Sequence, residues 1–447
     1  MKICFVSLGC DKNLVDSEHM LYLLEDAGFE LTDDKAEAEI IIVNTCCFIH
    51  DAMEESINSI IELGSYKTEG KCKVLLACGC LAQRYADNFA KELPEVDGII
   101  GTNDYDKIVE AVNAALKGDT FVKTSEPAGL PEFGRGRMVS TGGHYAYLKI
   151  AEGCDKHCTY CVIPFVRGSY RSVPIEQLVE EARQLVFEGV RELILVAQET
   201  TVYGTDIYGQ KSLGRLLDEL CAIEGIEWVR LMYAYPEEID DGLIAAILRN
   251  KKVCHYIDMP IQHCNDDILR RMGRYTDRWQ LESTIVKLRK LIPDITIRTT
   301  VIVGFPGESE EDFEELLEFV KLMRFERLGA FTYSRQEGTA AAEFEGQLDE
   351  EVKQERYDRL MSLQQEISTR VNKKRIGRAE RVFIEGALVG EGNVYVGRSY
   401  MDAPEVDGYV FLESPYELMS GDFVTVDVTE AKEYDVIGQI RNNNEPA

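Results

Sequence analysis

Hydrophobic and polar positions in the first 120 residues alternate between two patterns. Short apolar runs at 2–8, 40–44 and 73–77 predict buried strands. Between them, 14–27 and 53–63 carry apolar residues at helical spacing and stop at Gly28 and Gly64. Strands separated by helices of this length predict a parallel α/β sheet in an N-terminal domain over residues 1–120. Each strand runs straight into a cysteine: Cys10, Cys46 or Cys80. Sites in open parallel sheets form outside the carboxyl ends of the strands, so three βα loops would bring these thiols together.

Gly, Pro, Ser and Thr dominate 123–143, which reads as a linker. A second series of strands is predicted at 145–150, 192–196, 229–233, 256–259, 297–303 and 328–331, with helices such as 175–188 and 311–322 between them. Six βα units in about 190 residues fall short of an eight-unit barrel and suit a partial, open (β/α)6 barrel within 140–373. Residues 350–375 form one helix, with Leu360, Leu363, Ile367 and Val371 on its apolar face. It leads to a tail over 374–441 with strands at 381–384, 394–398, 409–412, 423–429 and 435–440, read as a small β-barrel. Asp402, Glu405 and Asp407 lie in a Pro-containing loop of this tail and are expected to be solvent-exposed and able to reach a partner.

Composition sharpens this α/β picture. With 45% hydrophobic and 29% charged residues in 447, the chain can bury several cores, and bulk disorder is excluded. A net charge of −30 argues against a basic surface for gripping nucleic acid. Apolar runs are too short to span a membrane or to form a leader, so a cytoplasmic setting is expected. Thirteen cysteines, an odd number, do not suggest a disulfide framework in a reducing compartment; their clustering suggests metal or cluster ligation. Cys4, Cys72, Cys78, Cys221 and Cys254 read as buried small hydrophobes, Cys47 as pointing away from its neighbour Cys46, and His263-Cys264 as structural.

The strongest local signal is Cys154-Asp155-Lys156-His157-Cys158-Thr159-Tyr160-Cys161, at the end of the first barrel strand. Its thiols, at offsets of four and three, can surround one face of a cubane iron–sulfur cluster. A 4Fe-4S cluster ordinarily takes four cysteines, and no fourth follows here, which leaves one iron open to a small molecule. A structural zinc site is the alternative and needs a fourth ligand, for which His157 is the candidate.

Three thiols at this spacing after the first strand of a partial barrel resemble the radical S-adenosylmethionine (SAM) superfamily. With the three N-terminal cysteines and the terminal β-barrel, the whole chain resembles its methylthiotransferases. The segments around Cys10 (7–18), Ala197-Gln198-Glu199-Thr200-Thr201, Pro260-Ile261-Gln262-His263, and 397–399 with 402–408 are similar to the branch that modifies a ribosomal protein. Asp11, Cys47 and Glu199 depart from that branch's usual Pro, Gly and Asp, and none of the three is a ligand position. The resemblance implies a TRAM domain for the tail, SAM chelated by the open iron of a Cys154/Cys158/Cys161 cluster, and a second, auxiliary 4Fe-4S cluster on Cys10, Cys46 and Cys80. It places Gln198, Glu199 and Gly304, the last in Gly304-Phe305-Pro306-Gly307-Glu308, near SAM. It implies a methylthio group added to the β-carbon of an aspartate of small-subunit ribosomal protein S-twelve, with an electron donor protein as a further partner. Residues 376–441 carry 5 Lys/Arg against 13 Asp/Glu, which suits a basic protein partner better than an RNA backbone. A tRNA adenosine methylthiotransferase of the same family and a non-enzymatic iron–sulfur scaffold stand as alternatives.

Overall fold

The computed structural model describes residues 1–130, 136–390 and 392–441; residues 131–135 of the predicted linker lie outside them. The first sheet has six parallel strands in the spatial order Glu30–Leu31, Lys2–Ser7, Ile40–Thr45, Val74–Gly79, Gly98–Ile100 and Phe121–Lys123. Ile40–Thr45 and Val74–Gly79 are buried at every position. Strands covered by helices on both faces read as unbroken apolar runs. Ile41, Val43 and Leu75 pack on one face with Ile60 of the helix His50–Gly64. Ile40, Ile42 and Leu76 pack on the other with Met20 of Asp11–Asp26 and Val112 of Ile108–Ala115. Both early helices start three residues sooner than predicted, which brings their first turns close to Cys10 and Cys46.

The second sheet holds Tyr145–Lys149, Glu192–Val196, Trp228–Leu231, Val253–Asp258, Thr296–Val303 and Arg327–Thr332, all parallel and in chain order. Its outer face buries Leu148, Leu193, Val229, Ile257 and Ile297 beneath helices such as Ile175–Phe187 and Glu310–Met323. The expected open barrel is therefore present. Its concave face carries Tyr145, Tyr147, Ile194, Trp228 and Tyr256, and these pack with Val15 of the first domain and with Phe383 and Ala403 of the tail.

The helix Glu350–Lys373 leads into a closed five-stranded barrel, Ala379–Ala387, Val394–Ser399, Val410–Glu413, Val436–Ile440 and Phe423–Ala431 in order around it. This barrel docks on the first half of the concave strands. Arg398 donates to Glu192 at 2.7 Å, and Arg230 donates to the Tyr400 carbonyl at 2.7 Å.

Docking corrects the expectation for the tail carboxylates. Asp402 is 1% exposed and pairs with Arg327 and Arg375. Asp407 accepts the Tyr256 hydroxyl at 2.7 Å and lies 3.4 Å from Arg298. Of the three, Glu405 alone is exposed. The loop folds inward because arginines on the barrel strands need counter-charges once water is excluded. Burial alone would push the Asp402 carboxyl up, but Arg327 and Arg375 outweigh it and hold it below the usual value. Cys4, Cys72, Cys78 and Cys254 are buried as expected; Cys221, at the end of the outer helix Leu213–Cys221, is only half-buried.

Candidate active site

Backbone geometry brings the three N-terminal thiols together. Cys10 caps the helix Asp11–Asp26, Cys46 directly follows Ile40–Thr45, and Cys80 begins Cys80–Arg84. Gly9 stands at φ +92°, and a Cβ there would lie 3.0 Å from Cys46 Sγ. Gly79 stands at φ +94°, and a Cβ there would collide with the Asn44 amide and lie 2.6 Å from the Thr45 carbonyl. Only glycine lets these loops approach so closely. Ser56 holds Cys46 from both sides, accepting its N–H and donating to its carbonyl, each at 3.0 Å. Burial, and then the neighbouring Cys80 and Cys10, push the Cys46 thiol up to about 12. Cys47, by contrast, sits in the apolar core with Val43, Ile60 and Leu81.

The second thiol group lies at the carboxyl end of the first barrel strand. A small antiparallel pair, Ala151–Glu152 with Arg171–Ser172, clamps the base of its loop. Cys154 N–H donates to the Gly168 carbonyl and Cys161 N–H to the Cys158 carbonyl, both at 3.0 Å. Thr159 fastens the loop to the fourth βα connection through the Met272 and Arg271 carbonyls, at 2.9 and 2.8 Å. Burial first, with Glu199 and Cys158 adding to it, pushes Cys154 up to about 12, although the Lys156 N–H opposes this. His157 is exposed at φ +50°. Among the described residues no three His, Cys, Asp or Glu side chains close on a single ion.

Gln198 and Glu199 follow the second barrel strand and face this loop. Gln198 Nε2 donates to Glu152 at 3.2 Å, while its Oε1 is buried without a partner. Glu199 accepts from Thr201 at 3.0 Å and lies 3.7 Å from Lys156 Nζ. Burial pushes its carboxyl up to about 7 against the pull of Lys156. Gly304 is placed differently. Its N–H is held by both Glu308 oxygens, at 3.1 and 3.0 Å, and Lys353 fills the space where a side chain would stand. The structure therefore gives Gly304 to a turn closed by its own acid.

Across the barrel mouth, Lys12 Nζ sits 3.3 Å from the centroid of the Tyr233 ring, and the Tyr233 hydroxyl donates to Asp11 at 3.3 Å. His50 N–H donates to Ser334 Oγ at 3.1 Å and Arg84 to Gln336 at 2.9 Å, so the first domain spans the mouth. These residues, with Asp16, Lys149, Glu152 and Arg167 between the two thiol groups, escaped the sequence reading. Only their closeness in sequence to a cysteine could have pointed to Lys12, Glu152 and Arg167.

Three family models match in turn: the uncharacterized protein family UPF0004 over residues 2–101, the Radical SAM superfamily over 148–320 and the TRAM domain over 376–440. A "Ribosomal protein uS12 methylthiotransferase RimO" of Lachnoclostridium phytofermentans is 58% identical over 438 residues, covering 98% of this chain and 99% of the relative. The chain belongs to the RimO family. A member from Pelotomaculum thermopropionicum, of the same description, is 49% identical and covers the same shares. Among solved structures, the radical S-adenosylmethionine methyltransferase TsrM from Kitasatospora setae, with cobalamin and a [4Fe-4S] cluster bound, matches with a TM-score of 0.55. It covers 94% of this chain and 83% of its own at 13% identity, a likeness of fold.

Proposed function

We propose that this chain is a radical SAM methylthiotransferase acting on an aspartate of ribosomal protein uS12, built from domains at 1–120, 140–373 and 374–441. The observation that carries this reading is the pairing of two thiol triads. Each lies at the carboxyl end of a parallel sheet, and a single buried charge network joins them. Thiolates ligate iron–sulfur clusters, and both donor sets, three soft sulfurs each in a largely buried setting, fit one. Cys154, Cys158 and Cys161 would hold the cluster that leaves an iron open for SAM, and Cys10, Cys46 and Cys80 the auxiliary one. When bound, these groups supply the radical and sulfur chemistry that an unactivated C–H bond requires.

The chain's own residues hold and enclose. Gln198, with an unpartnered buried oxygen, and Glu199, near neutral pH in its titration, stand beside the Cys154 loop and would orient SAM. Lys156 is fixed there by Glu238 at 2.6 Å. The first domain, resting on Tyr233, Ser334 and Gln336, limits water at the mouth. An electron donor protein would reduce the cluster, and no helix among the described residues is long and apolar enough to cross a membrane.

A protein substrate is favoured over tRNA by the state of the tail's cations. Arg375 and Arg398 are buried and paired, Arg381, Lys432 and Arg441 each pair with a carboxylate, and Lys374 and Arg378 are the exposed cations that remain. That leaves little positive surface for a phosphate backbone. Mass spectrometry of uS12 and of tRNA from cells with and without the gene tests the reading. A methylthio increment confined to uS12 is expected; one confined to tRNA adenosine would replace it.

A further inference from the structure

Arg167 ends the short helix Ile163–Arg167 that follows Cys161, and it is 2% exposed. Its Nε–H donates to Cys80 Sγ at 3.4 Å. Nη1 donates to Asp16 at 2.8 Å and to Glu152 at 3.0 Å, and Nη2 donates to the Asn13 side-chain oxygen. Lys149 bridges the same two carboxylates, bonding Asp16 and, at 2.7 Å, Glu152. Asn13 and Asp16 lie on the helix capped by Cys10, whereas Glu152 stands two residues before Cys154. One guanidinium therefore touches a thiol of the first triad and the strand that carries the second.

Lys149 and Arg167 match Asp16 and Glu152 in charge, so the quartet is neutral without any sulfur. The Nε–H contact with Cys80 is an addition to it. We propose that Arg167 is a positioning residue of the auxiliary site: its Nε–H donates to the Cys80 thiolate, fixes that ligand against the network beside Cys154, and raises the reduction potential of the cluster held there. The proposal rests on the ligand reading above. Hydrogen bonds to cluster sulfurs and nearby positive charge stabilise the state that has gained an electron. Charged donors make the stronger bonds.

The test uses the full chain carrying Cys154→Ala, Cys158→Ala and Cys161→Ala, reconstituted anaerobically, so that only the auxiliary cluster is titrated. In this background Arg167→Gln should shift the oxidised-to-reduced ratio about tenfold towards oxidised at a fixed poise, equal to 59 mV for a one-electron couple. Arg167→Lys, which keeps the charge, should shift it less. Electron paramagnetic resonance during the titration reads both. Unchanged potentials in both variants would overturn the proposal, as would loss of the iron from both, which would make Arg167 a structural tie alone. If the parent with Arg167 intact held no cluster, the ligand reading itself would have failed, an outcome visible before any Arg167 variant is titrated.

Discussion

Arg398 of the C-terminal barrel donates to Glu192 of the open barrel at 2.7 Å, and neither side chain is exposed. Glu192 also accepts from Arg230 at 2.8 Å. One carboxylate thus links two buried guanidinium groups from different domains, and Arg398 has Glu385 as a second partner at 2.5 Å. Burial alone would raise its pKa, but Arg398 and Arg230 outweigh this and hold it low. Removing one member of a buried ion pair leaves an uncompensated charge and costs about 3–5 kcal/mol. Glu192→Ala should therefore lower the thermal midpoint clearly, since it takes the paired carboxylate from Arg230 and leaves Arg398 with Glu385 alone. A double-mutant cycle with Arg398 measures the coupling.

Asp402 and Asp407 make a second prediction about docking. Asp402→Lys would set a cation against Arg327 and Arg375, and Asp407→Lys would do so against Arg298. Each should loosen the C-terminal barrel and expose the 373–379 junction to limited proteolysis, with a loss on the order of 3 kcal/mol. Glu405→Lys, at an exposed position, should change stability by less than about 0.5 kcal/mol. Equal protease sensitivity in all three would contradict the docked arrangement.

Iron content separates the two thiol groups. The reconstituted chain should hold about eight irons, as two 4Fe-4S clusters. Replacing Cys154, Cys158 and Cys161 with Ala should halve the iron and abolish the release of 5′-deoxyadenosine from SAM. Replacing Cys10, Cys46 and Cys80 should halve the iron but leave that release intact. Full iron in both triple variants would refute the assignment.

His263 sets a pH dependence away from both sites. It is fully buried and accepts the Asn265 N–H at 3.0 Å, and its other nitrogen lies 3.6 Å from Glu308 without a hydrogen bond. Burial pushes its pKa down from 6.5 to about 3. The folded state therefore holds this imidazole neutral while the unfolded chain takes up a proton below 6.5. Stability is fully present above pH 6.5 and is lost as pH falls towards 3, by about 2 kcal/mol at pH 5. His263→Asn keeps an acceptor near Asn265 and should flatten this slope between pH 6.5 and 5 in denaturant titrations, whatever its cost at pH 7.

Gly79→Ala tests the backbone beneath the auxiliary site. At φ +94°, with its Cβ against Asn44 and Thr45, the alanine must distort the turn that delivers Cys80. A cost of about 1–3 kcal/mol is expected, with iron falling towards the level of the Cys10/Cys46/Cys80 variant. Gly28→Ala, also at positive φ but with nothing within 4 Å of its Cβ, is the control that should keep full iron.

The sequence by itself determined the elements and the strand ends at which the two groups of cysteines stand. Fully buried strands such as Ile40–Thr45 and Val74–Gly79 are apolar along most of their length, with Asn44 and Thr45 at the end of the first, and cysteines at strand ends suggest a site without any long-range information. Partner choice among charged residues was left to the tertiary structure. Asp402 and Asp407 look like solubilising loop acids until Arg327 and Arg298 meet them from strands of the open barrel and Arg375 from the turn after the connecting helix. That the Gly304 N–H is bonded by Glu308, with Lys353 against its Cα, is likewise visible only in the fold. Arg167 is one cation among 49 until packing sets it between Cys80, Asp16 and Glu152. Hydrophobic periodicity is local and repeats along the chain, so it can be read in one dimension. The value of a charge depends on burial and on partners distant along the chain, and both exist only once the chain has folded.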